Sequence, residues 1–389
     1  MKETKFKDTE IGRIPEDWET LYIHQITEIS TGATPSTNIK EYWENGTIRW
    51  MSSGELNNKI IYDVNGRITQ KGYDNTGTHI LPKNCVLIGL AGQGKTRGTA
   101  AYNKVELCTN QSIAAILPNS KYESKYLYFY IDSLYDKLRL LSAGDGGRGG
   151  LNKQILQNLE IAMPPLSEQH SIASALTSID NLISSLGKLI EKKKNIKQGA
   201  MQQLLTGKVR LQGFSEPWNK CCLSKICNDI FSGKNTTHSN SGMFSVYGST
   251  GIIGYTDTYK YNYPTILVAR VGANAGTVNK AVDCYDVSDN TLIISLKPNQ
   301  NIDLLTYILK YKKLNSMIFG SGQPLITGSQ LKSLTIEIPV TIAEQQAIAT
   351  ILTKMDDEIT ALEAKKAKYE AIKQGMMQQL LTGKIRLIS

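Results

Sequence analysis

A fifteen-residue stretch occurs twice in this chain: Lys197 to Leu211 reads KQGAMQQLLTGKVRL and Lys373 to Leu387 reads KQGMMQQLLTGKIRL, 176 positions later. The match runs upstream at the same offset to Glu168-Gln169 and Glu344-Gln345, and residues 168–211 compared with 344–387 without a gap give 24 identities in 44 positions. A long segment used twice in one polypeptide implies one structural unit built twice. At 389 residues the chain is long enough for two or more domains with separate cores. The feature therefore predicts a covalent pseudo-dimer, and the functional question becomes what such a pseudo-dimer reads or holds.

The repeated frame extends beyond these segments. Ile11-Gly12-Arg13-Ile14-Pro15-Glu16-Asp17-Trp18 opens the chain, and Gly213-Phe214-Ser215-Glu216-Pro217-Trp218 follows the first repeat; an isoleucine, Ile26 or Ile226, lies eight residues after each Trp. The distance from Trp to Glu-Gln is 150 in the first half and 126 in the second, so the halves share their frame and differ by 24 residues inside it. A constant frame around a variable insert suits a scaffold with exchangeable reading heads. Both tryptophans are read as core anchors.

Ile172, Leu176, Ile179, Ile183, Leu186 and Ile190 step by four and three, and Ile348, Leu352, Met355, Ile359 and Leu362 repeat the register. That spacing is a heptad seam. It meets Lys193 and Lys197, or Lys366 and Lys373, where the register is expected to weaken or shift, before apolar residues resume at Ala200 and Leu204, or Met376 and Leu380. Pro164-Pro165 and Pro339 precede the segments and Gly207 and Gly383 follow them, as helix boundaries require. A helix from Ser167 to Leu205 would be about 58 Å long. Equal length and register favour an intramolecular antiparallel pair; the alternative is a coiled coil with another molecule. The lysines at 192–194 are read as a solvated helix face, with backbone phosphate contact the alternative.

The globular parts read as mixed α/β. Cys85–Leu90, Ile113–Leu117, Ile266–Ala269, Leu292–Leu296 and Leu334–Ile338 are β-branched runs bounded by Gly, Asn and Pro, and predict strands. Leu127, Tyr130, Leu134, Leu138 and Leu141 mark a helical stretch in the first part, and Leu305, Ile308 and Leu309 mark one in the second. Each runs into a glycine-rich loop, residues 144–150 and 320–323.

The net charge of +9 points only modestly to a polyanion. Segments 1–166, 167–211, 212–340 and 341–389 carry +1, +4, +3 and +1, so any DNA contact must come from local clusters. The six cysteines and four histidines follow no zinc-ligand, CxxC or HExxH spacing, and the cysteines are expected to be free thiols in a reducing compartment. The opening MKETKFKDTE lacks the apolar stretch of a signal peptide, and no run approaches a membrane span, which gives the expectation of a cytoplasmic protein with no membrane contact.

Gly89-Leu90-Ala91-Gly92-Gln93-Gly94-Lys95-Thr96 matches the P-loop pattern at every position. A P-loop must open a helix, however, and Arg97-Gly98-Thr99-Ala100-Ala101-Tyr102 has no apolar helical stripe. The counterpart Val271-Gly272-Ala273-Asn274-Ala275-Gly276-Thr277 keeps glycines but has no Lys. The expectation is a strand–turn where backbone approaches a ligand closely, with Lys95 and Arg97 near phosphate. No catalytic motif is found: there is no Asn-Pro-Pro-Tyr, no Ser/His/Asp set and no paired-carboxylate motif, and the Gly92-x-Gly94 fragment is too weak for S-adenosylmethionine.

The layout resembles the specificity subunit of a Type I restriction-modification system over essentially the whole chain. The residues that carry the resemblance are Ile14-Pro15-Glu16-Asp17-Trp18, Pro164-Pro165-Leu166-Ser167-Glu168-Gln169, Pro339-Val340-Thr341-Ile342-Ala343-Glu344-Gln345 and the two Gln-Gln-Leu-Leu-Thr-Gly-Lys tails, in that order and duplicated. The resemblance implies an α+β chain of two mixed α/β target-recognition domains, residues 1–166 and 208–341. Two long helical regions, 167–207 and 342–389, would separate them and pack as an antiparallel intramolecular coiled coil with a pseudo-twofold repeat. It implies a non-catalytic reader of an asymmetric bipartite double-stranded DNA target, with the helices docking two methyltransferase subunits and a motor-nuclease subunit joining the full complex. No cofactor is expected on this chain; S-adenosylmethionine and ATP would sit on partner subunits, and no metal site is expected. Base reading falls to Arg, Lys, Asn and Gln side chains on loops. Chemistry and position nominate Lys95, Arg97, Arg148 and Lys153 in the first head, and Lys234, Asn235, Asn274 and Gln323 in the second. Two alternatives remain: a coiled-coil adaptor without sequence-dependent DNA contact, and a P-loop nucleotide-binding protein using Lys95.

Overall fold

Four of the five β-branched runs become strands of two main sheets, and the fifth, Thr335–Ile338, forms a two-stranded ladder with Asn219–Cys222. The computed structural model describes residues 4–92, 94–142, 150–317 and 324–388. Packing divides the chain into two compact units, Met1–Ser185 with Lys366–Ser389 and Leu186–Lys365. This division cuts across both long helices, Leu166–Leu204 and Ile342–Leu380, so each unit takes a share of each.

In the first unit the sheet order is Ile29–Thr31, Ile113–Ile116, Val86–Gly89, Ala100–Asn103 and Ile60–Ile61, antiparallel except for the last pair. Every residue of Val86–Gly89, Ala100–Asn103 and Ile113–Ile116 is buried, so both sheet faces are covered. Alternation sorts the side chains. Val86, Ile88, Ala100 and Ala114 join Trp18, Tyr126, Leu127, Ile172 and Leu176 on one face, while Leu87, Ala101, Ile113 and Ala115 join Met51, Leu56 and Leu81 on the other.

The second unit repeats this plan. Its sheet runs Cys227–Ser232, Thr291–Leu296, Thr265–Ala269 and Val278–Ala281, all antiparallel and in the equivalent order. Ile266, Val268, Leu292 and Ile294 meet Leu304, Leu305, Ile308, Ile348 and Leu352; Leu267 and Ile293 meet Tyr285 and Val287. Each unit also has a three-stranded ladder whose central strand, Ile48–Met51 or Phe244–Gly248, has one parallel and one antiparallel neighbour. In each, the strand after the frame Trp pairs with the strand before the long helix: Glu19–Tyr22 with Glu160–Met163, and Asn219–Cys222 with Thr335–Ile338.

The five expected strands form within a residue or two of their predicted ends. The first helical stretch does not form as one piece. It divides at Leu134 into Ser124–Ser133 and Tyr135–Leu141, and the second piece turns onto the loop after Gly89, where Tyr135 and Arg139 find partners described below.

Each long helix has 39 residues, about 58 Å of rise. Ile172 and Leu176 pack with Met377, Leu380 and Leu381 in the first unit; Ile348 and Leu352 pack with Met201, Leu204 and Leu205 in the second. Of the lysines expected to weaken the seam, Lys193, Lys197 and Lys373 are ion-paired with the other helix, while Lys366 pairs with Glu370 of its own. Lys373 meets Asp180 at 2.7 Å in the first unit, and Lys197 meets Asp356 in the second. Their ammonium groups lie over Phe129 and Tyr307, at 5.5 and 5.2 Å from the ring centres. Lys193 and Lys194, read from sequence as a solvated face, pair with Glu358 and Glu363 of the other helix, each at 2.6 Å.

The Glu-Gln dipeptides close the frame. Glu168, fully buried, accepts from the Trp18 indole at 3.0 Å and from Nε and Nη2 of Arg386, both at 2.8 Å; Arg386 also reaches Asp17 at 2.7 and 2.9 Å. In the second unit Glu344 accepts from Trp218 at 3.3 Å and from Arg210 Nε and Nη2 at 2.8 Å, while the Glu216 carbonyl takes the place of Asp17. The arginine fork thus supplies two parallel bonds to a buried carboxylate, the geometry that most offsets its desolvation. Gln169 and Gln345 clamp the starts of the helices Ser124–Ser133 and Ile302–Tyr311 by accepting from the amides of Glu123 and Asn301 at 2.9 and 2.8 Å. Gly383 ends the second helix at φ +67°, where a Cβ would lie 2.3 Å from Pro15 Cγ.

Candidate nucleic-acid interface

At one end of each sheet several loops gather around the start of one strand, Ile113–Ile116 in the first unit and Thr291–Leu296 in the second. In the first unit, Gly89 pairs with Ile113 and Thr31 with Ala114, so the loops following Gly89 and Thr31 emerge together. In the second, Ala269 pairs with Thr291 and Ser232 with Leu292, which brings the loops after Ala269 and Ser232 to the equivalent place. Lys95 and Arg97 stand on the first of these loops; Lys234 and Asn274 stand on two loops of the second unit.

The hairpin loops after Gly89 and Ala269 have the same backbone architecture. Gly98 donates to Gly89 O and Gly276 to Ala269 O, both at 2.9 Å. Thr99 donates to Thr96 O at 3.0 Å, and Thr277 to Asn274 O at 2.9 Å. Leu90 O accepts from Leu151 at 3.2 Å, and Arg270 O from Ile326 at 2.8 Å. This register equates Gly98 with Gly276, Thr96 with Asn274 and Leu90 with Arg270. The first loop, residues 91–98, is two residues longer than the second, residues 271–276. Gly98 and Gly276 have φ of +79° and +90°, the left-handed region that explains both glycines.

The same geometry disposes of the P-loop reading. Residues 90–99 connect two antiparallel strands and open no helix, so there is no helix N-terminus to receive a phosphate. Lys95 is exposed, while its carbonyl accepts from Thr99 Oγ1 at 2.6 Å and from the Tyr135 hydroxyl at 3.2 Å. Arg97 is half-buried and donates from Nη1 to Ser142 Oγ at 3.3 Å; its Nε is buried with no partner among the described residues.

Of the other nominated residues, Lys153 is exposed at the first position of the helix Lys153–Gln157, two residues after the Leu151–Leu90 bond ties this segment to the hairpin loop. Lys234 and Asn274 are exposed. Asn235 is different: its side chain is committed inward, its Nδ2 donating to Asp286 at 2.8 Å and its Oδ1 accepting from the Thr237 amide at 3.0 Å. With 8% of its surface exposed, it braces the loop that carries Lys234 and presents no open edge to a base. Arg148 and Gln323 lie outside the described residues.

Sequence reasoning missed Arg270, half-buried at the root of the second loop, and the pair Tyr135 and Arg139 beneath the first. Arg270 could have been found by its position directly after a buried β-branched strand. Tyr135 and Arg139 gave no signal, because their helix was read only for its apolar spacing.

Among the described residues no group of His, Cys, Asp or Glu is arranged to hold a metal. Burial pushes the Cys85 and Cys227 thiols up to about 12, the wrong direction for thiolate chemistry. All six cysteines are free. No helix among the described residues is long and apolar enough to cross a membrane.

Two units of one plan, each gathering loops at one sheet end that differ between the units in length and sequence, define a duplicated recognition protein, and comparison with known proteins gives the family. The model of the Type I restriction modification DNA specificity domain matches residues 15–198 and again 215–374. The chain is 27% identical over 429 residues to the Type I restriction enzyme MjaVIII specificity subunit of Methanocaldococcus jannaschii, covering 99% of this chain and 97% of that protein. It is 25% identical over 377 residues to the EcoprrI specificity subunit of Escherichia coli, covering 92% and 91%. Its fold is similar to the crystal structure of the Type I S subunit from M. genitalium, with a TM-score of 0.67, 16% identity and coverage of 93% and 96%. The chain belongs to the Type I restriction-modification DNA specificity family. It is the non-catalytic, target-recognising component of such a system.

Proposed function

We propose that the two units each read one half of an asymmetric, bipartite double-stranded DNA target. The observation that carries this reading is the shared hairpin loop: one backbone architecture, bearing Lys95 and Arg97 in the first unit and Asn274 beside Arg270 in the second, with two residues more in the first. Equal scaffolds with unequal side chains favour two different half-sites over a palindrome. Lys95, Lys153 and Lys234, exposed and cationic, suit backbone phosphate; Arg97, Asn274 and the nominated Arg148 and Gln323 have the donor and acceptor sets for base edges.

The long helices are read as an antiparallel intramolecular coiled coil that sets the unread spacer. The crossed ion pairs support it: Asp180 with Lys373, Asp356 with Lys197 and Glu358 with Lys193 each pair a residue from the first half of one helix with one from the second half of the other, and Lys194 meets Glu363 just past the middle. The exposed helix faces would dock methyltransferase subunits, two per chain, with a motor-nuclease subunit in the complete assembly, and S-adenosylmethionine and ATP would be held by those partners. A cytoplasmic location, where that DNA is, follows from the same reading.

The test is a methylome. The chain is co-expressed with a Type I methyltransferase subunit in a methylation-free host, and modified adenines are mapped. A split asymmetric motif that disappears without this chain supports the reading; exchange of residues 19–163 for a homologous head should then change one half-site and leave the other and the spacer intact. Change in both half-sites, or no motif with a folded, co-purifying partner, would overturn it and favour an adaptor.

A further inference from the structure

The helix Tyr135–Leu141 lies directly under the hairpin loop of the first unit, and two of its side chains donate to that loop's backbone. Arg139 Nη1 donates to Gly94 O at 2.8 Å, and the Tyr135 hydroxyl donates to Lys95 O at 3.2 Å. Arg139 also stacks over the Tyr135 ring, 5.6 Å from its centre, and donates to its hydroxyl at 3.2 Å, so the two side chains hold each other in place. At the far side of the loop Arg97 donates to Ser142 Oγ, which in turn donates to Arg139 O at 2.6 Å. Gly98 closes the contact, because a Cβ there would touch Leu138, Tyr135 O and Arg139 at 3.4–3.5 Å.

We infer that Arg139 and Tyr135 are positioning residues for target recognition: they fix the tip of the hairpin loop so that Lys95 and Arg97 are presented in one orientation. The reasoning is physical. A glycine-rich tip has many backbone states, and binding must order whatever the free protein leaves loose. With the carbonyls of Gly94 and Lys95 both held from below, the loop is ordered before DNA arrives, and its outward surface is left to side chains. A cationic donor makes the Gly94 bond stronger than a neutral one would be.

Among the described residues the second unit has no such side-chain brace. Its shorter loop is closed by backbone: Gly272 N donates to Pro324 O at 3.1 Å, Val271 bridges Leu325, and a Cβ at Gly276 would lie 2.5 Å from Asn315 N. Aligning the helices Ser124–Ser133 and Ile302–Tyr311 from their equivalent starts puts Lys313 and Met317 at the positions of Tyr135 and Arg139. The two extra residues in the first loop therefore come with an added side-chain brace, and loss of that brace should be felt in one half-site alone.

The inference rests on the proposed reading of a bipartite target, and the experiment separates the two. The full chain is co-expressed with its methyltransferase subunit as wild type, Arg139→Ala, Arg139→Lys and Tyr135→Phe, and methylation is scored at sites carrying one mismatch in either half. The expected result for Arg139→Ala is about a tenfold loss of discrimination, or about 1.4 kcal/mol, in the first unit's half-site, with the other half unchanged. Arg139→Lys, which keeps a cationic donor, should recover part of the loss, and Tyr135→Phe, which keeps the ring, should give a smaller loss in the same half. Unchanged discrimination, or equal loosening of both halves, overturns the inference, and should Arg139→Ala fail to accumulate, the other two variants decide it. Absence of any split motif in wild type would instead overturn the proposed function.

Discussion

Replacing Arg386 by Ala should destabilise the first unit by about 3 kcal/mol. The Arg386 side chain is 9% exposed and the Glu168 side chain 0%, so the variant leaves a carboxylate in the interior with two donors, the Trp18 indole at 3.0 Å and the Leu387 amide at 3.2 Å. Removing one partner of a buried ion pair costs about 3–5 kcal/mol, and the surviving donors place this case at the lower end. The Asp17 arm adds less than about 1 kcal/mol, since the Asp17 side chain is 55% exposed and its attraction is screened. For a unit of this size the loss corresponds to roughly 6–12 °C in melting temperature. Urea unfolding with hydrogen exchange at the Leu387 amide and the Trp18 indole would measure it. The hydrogen bonds and charge of Arg386 hold the Asp17 carboxyl below its usual range. A carboxyl whose folded value lies below its unfolded value contributes stability that is complete above the unfolded value, about 3.9, and is lost as pH falls through the folded one. The Asp17 part of the difference between wild type and variant should therefore vanish only below about pH 4. Pairing Glu168→Gln with Arg386→Met should recover most of the loss, because no buried charge is then left alone and the amide oxygen still accepts from the Trp18 indole. A loss below about 1 kcal/mol, or a double variant as unstable as Arg386→Ala, would refute the argument.

Three further outcomes are expected. Asn235→Ala should cost the second unit about 1–3 kcal/mol, because the buried Asp286 carboxylate loses a donor; chemical denaturation checks this, and a neutral variant would refute the bracing role. Lys95→Ala should leave stability unchanged and reduce the slope of log affinity against log salt by about 0.9 if Lys95 neutralises one phosphate; a titration of DNA binding at several salt concentrations reads the slope. Lys373→Ala should destabilise the first unit by about 1 kcal/mol through loss of its partly buried pair with Asp180 and its contact with the Phe129 ring, again by urea denaturation.

The frame was legible in the sequence because it is written twice: Trp18 and Trp218, Glu168 and Glu344, and the two tails occur in the same order, although each Trp–Glu pair is closed by the tail of the other repeat, an exchange that the order alone does not reveal. The strands were legible because Val86–Gly89 and Thr265–Ala269 are short, apolar and bounded by turn residues. The P-loop pattern was exposed as a turn by what followed it, since Arg97-Gly98-Thr99 cannot begin an apolar helix face. What stayed hidden depends on the chain's path. Lys197 reads as an interruption until Asp356 is found beside it, although identical Asp and Lys residues at 180 and 356, and at 197 and 373, carried the clue. The inward turn of Asn235 follows from Asp286, 51 residues away, which no local pattern specifies. The break at Leu134 has no Gly or Pro to announce it; it exists because the following turn of helix is aimed at a loop 40 residues earlier in the chain.

The arginine clasps also set an order of events during synthesis. The second unit is continuous in sequence, and its Arg210 meets Glu344 across 134 residues. The first unit closes only when Arg386 arrives, 218 residues after Glu168 and 369 after Asp17. At about 5–20 residues per second, Glu168 waits on the order of 10–40 seconds with its arginine still unmade. The half of the protein that leaves the ribosome first is thus the last to be finished, and the apolar surface awaiting Met377, Leu380 and Leu381 is the part of the nascent chain most in need of protection.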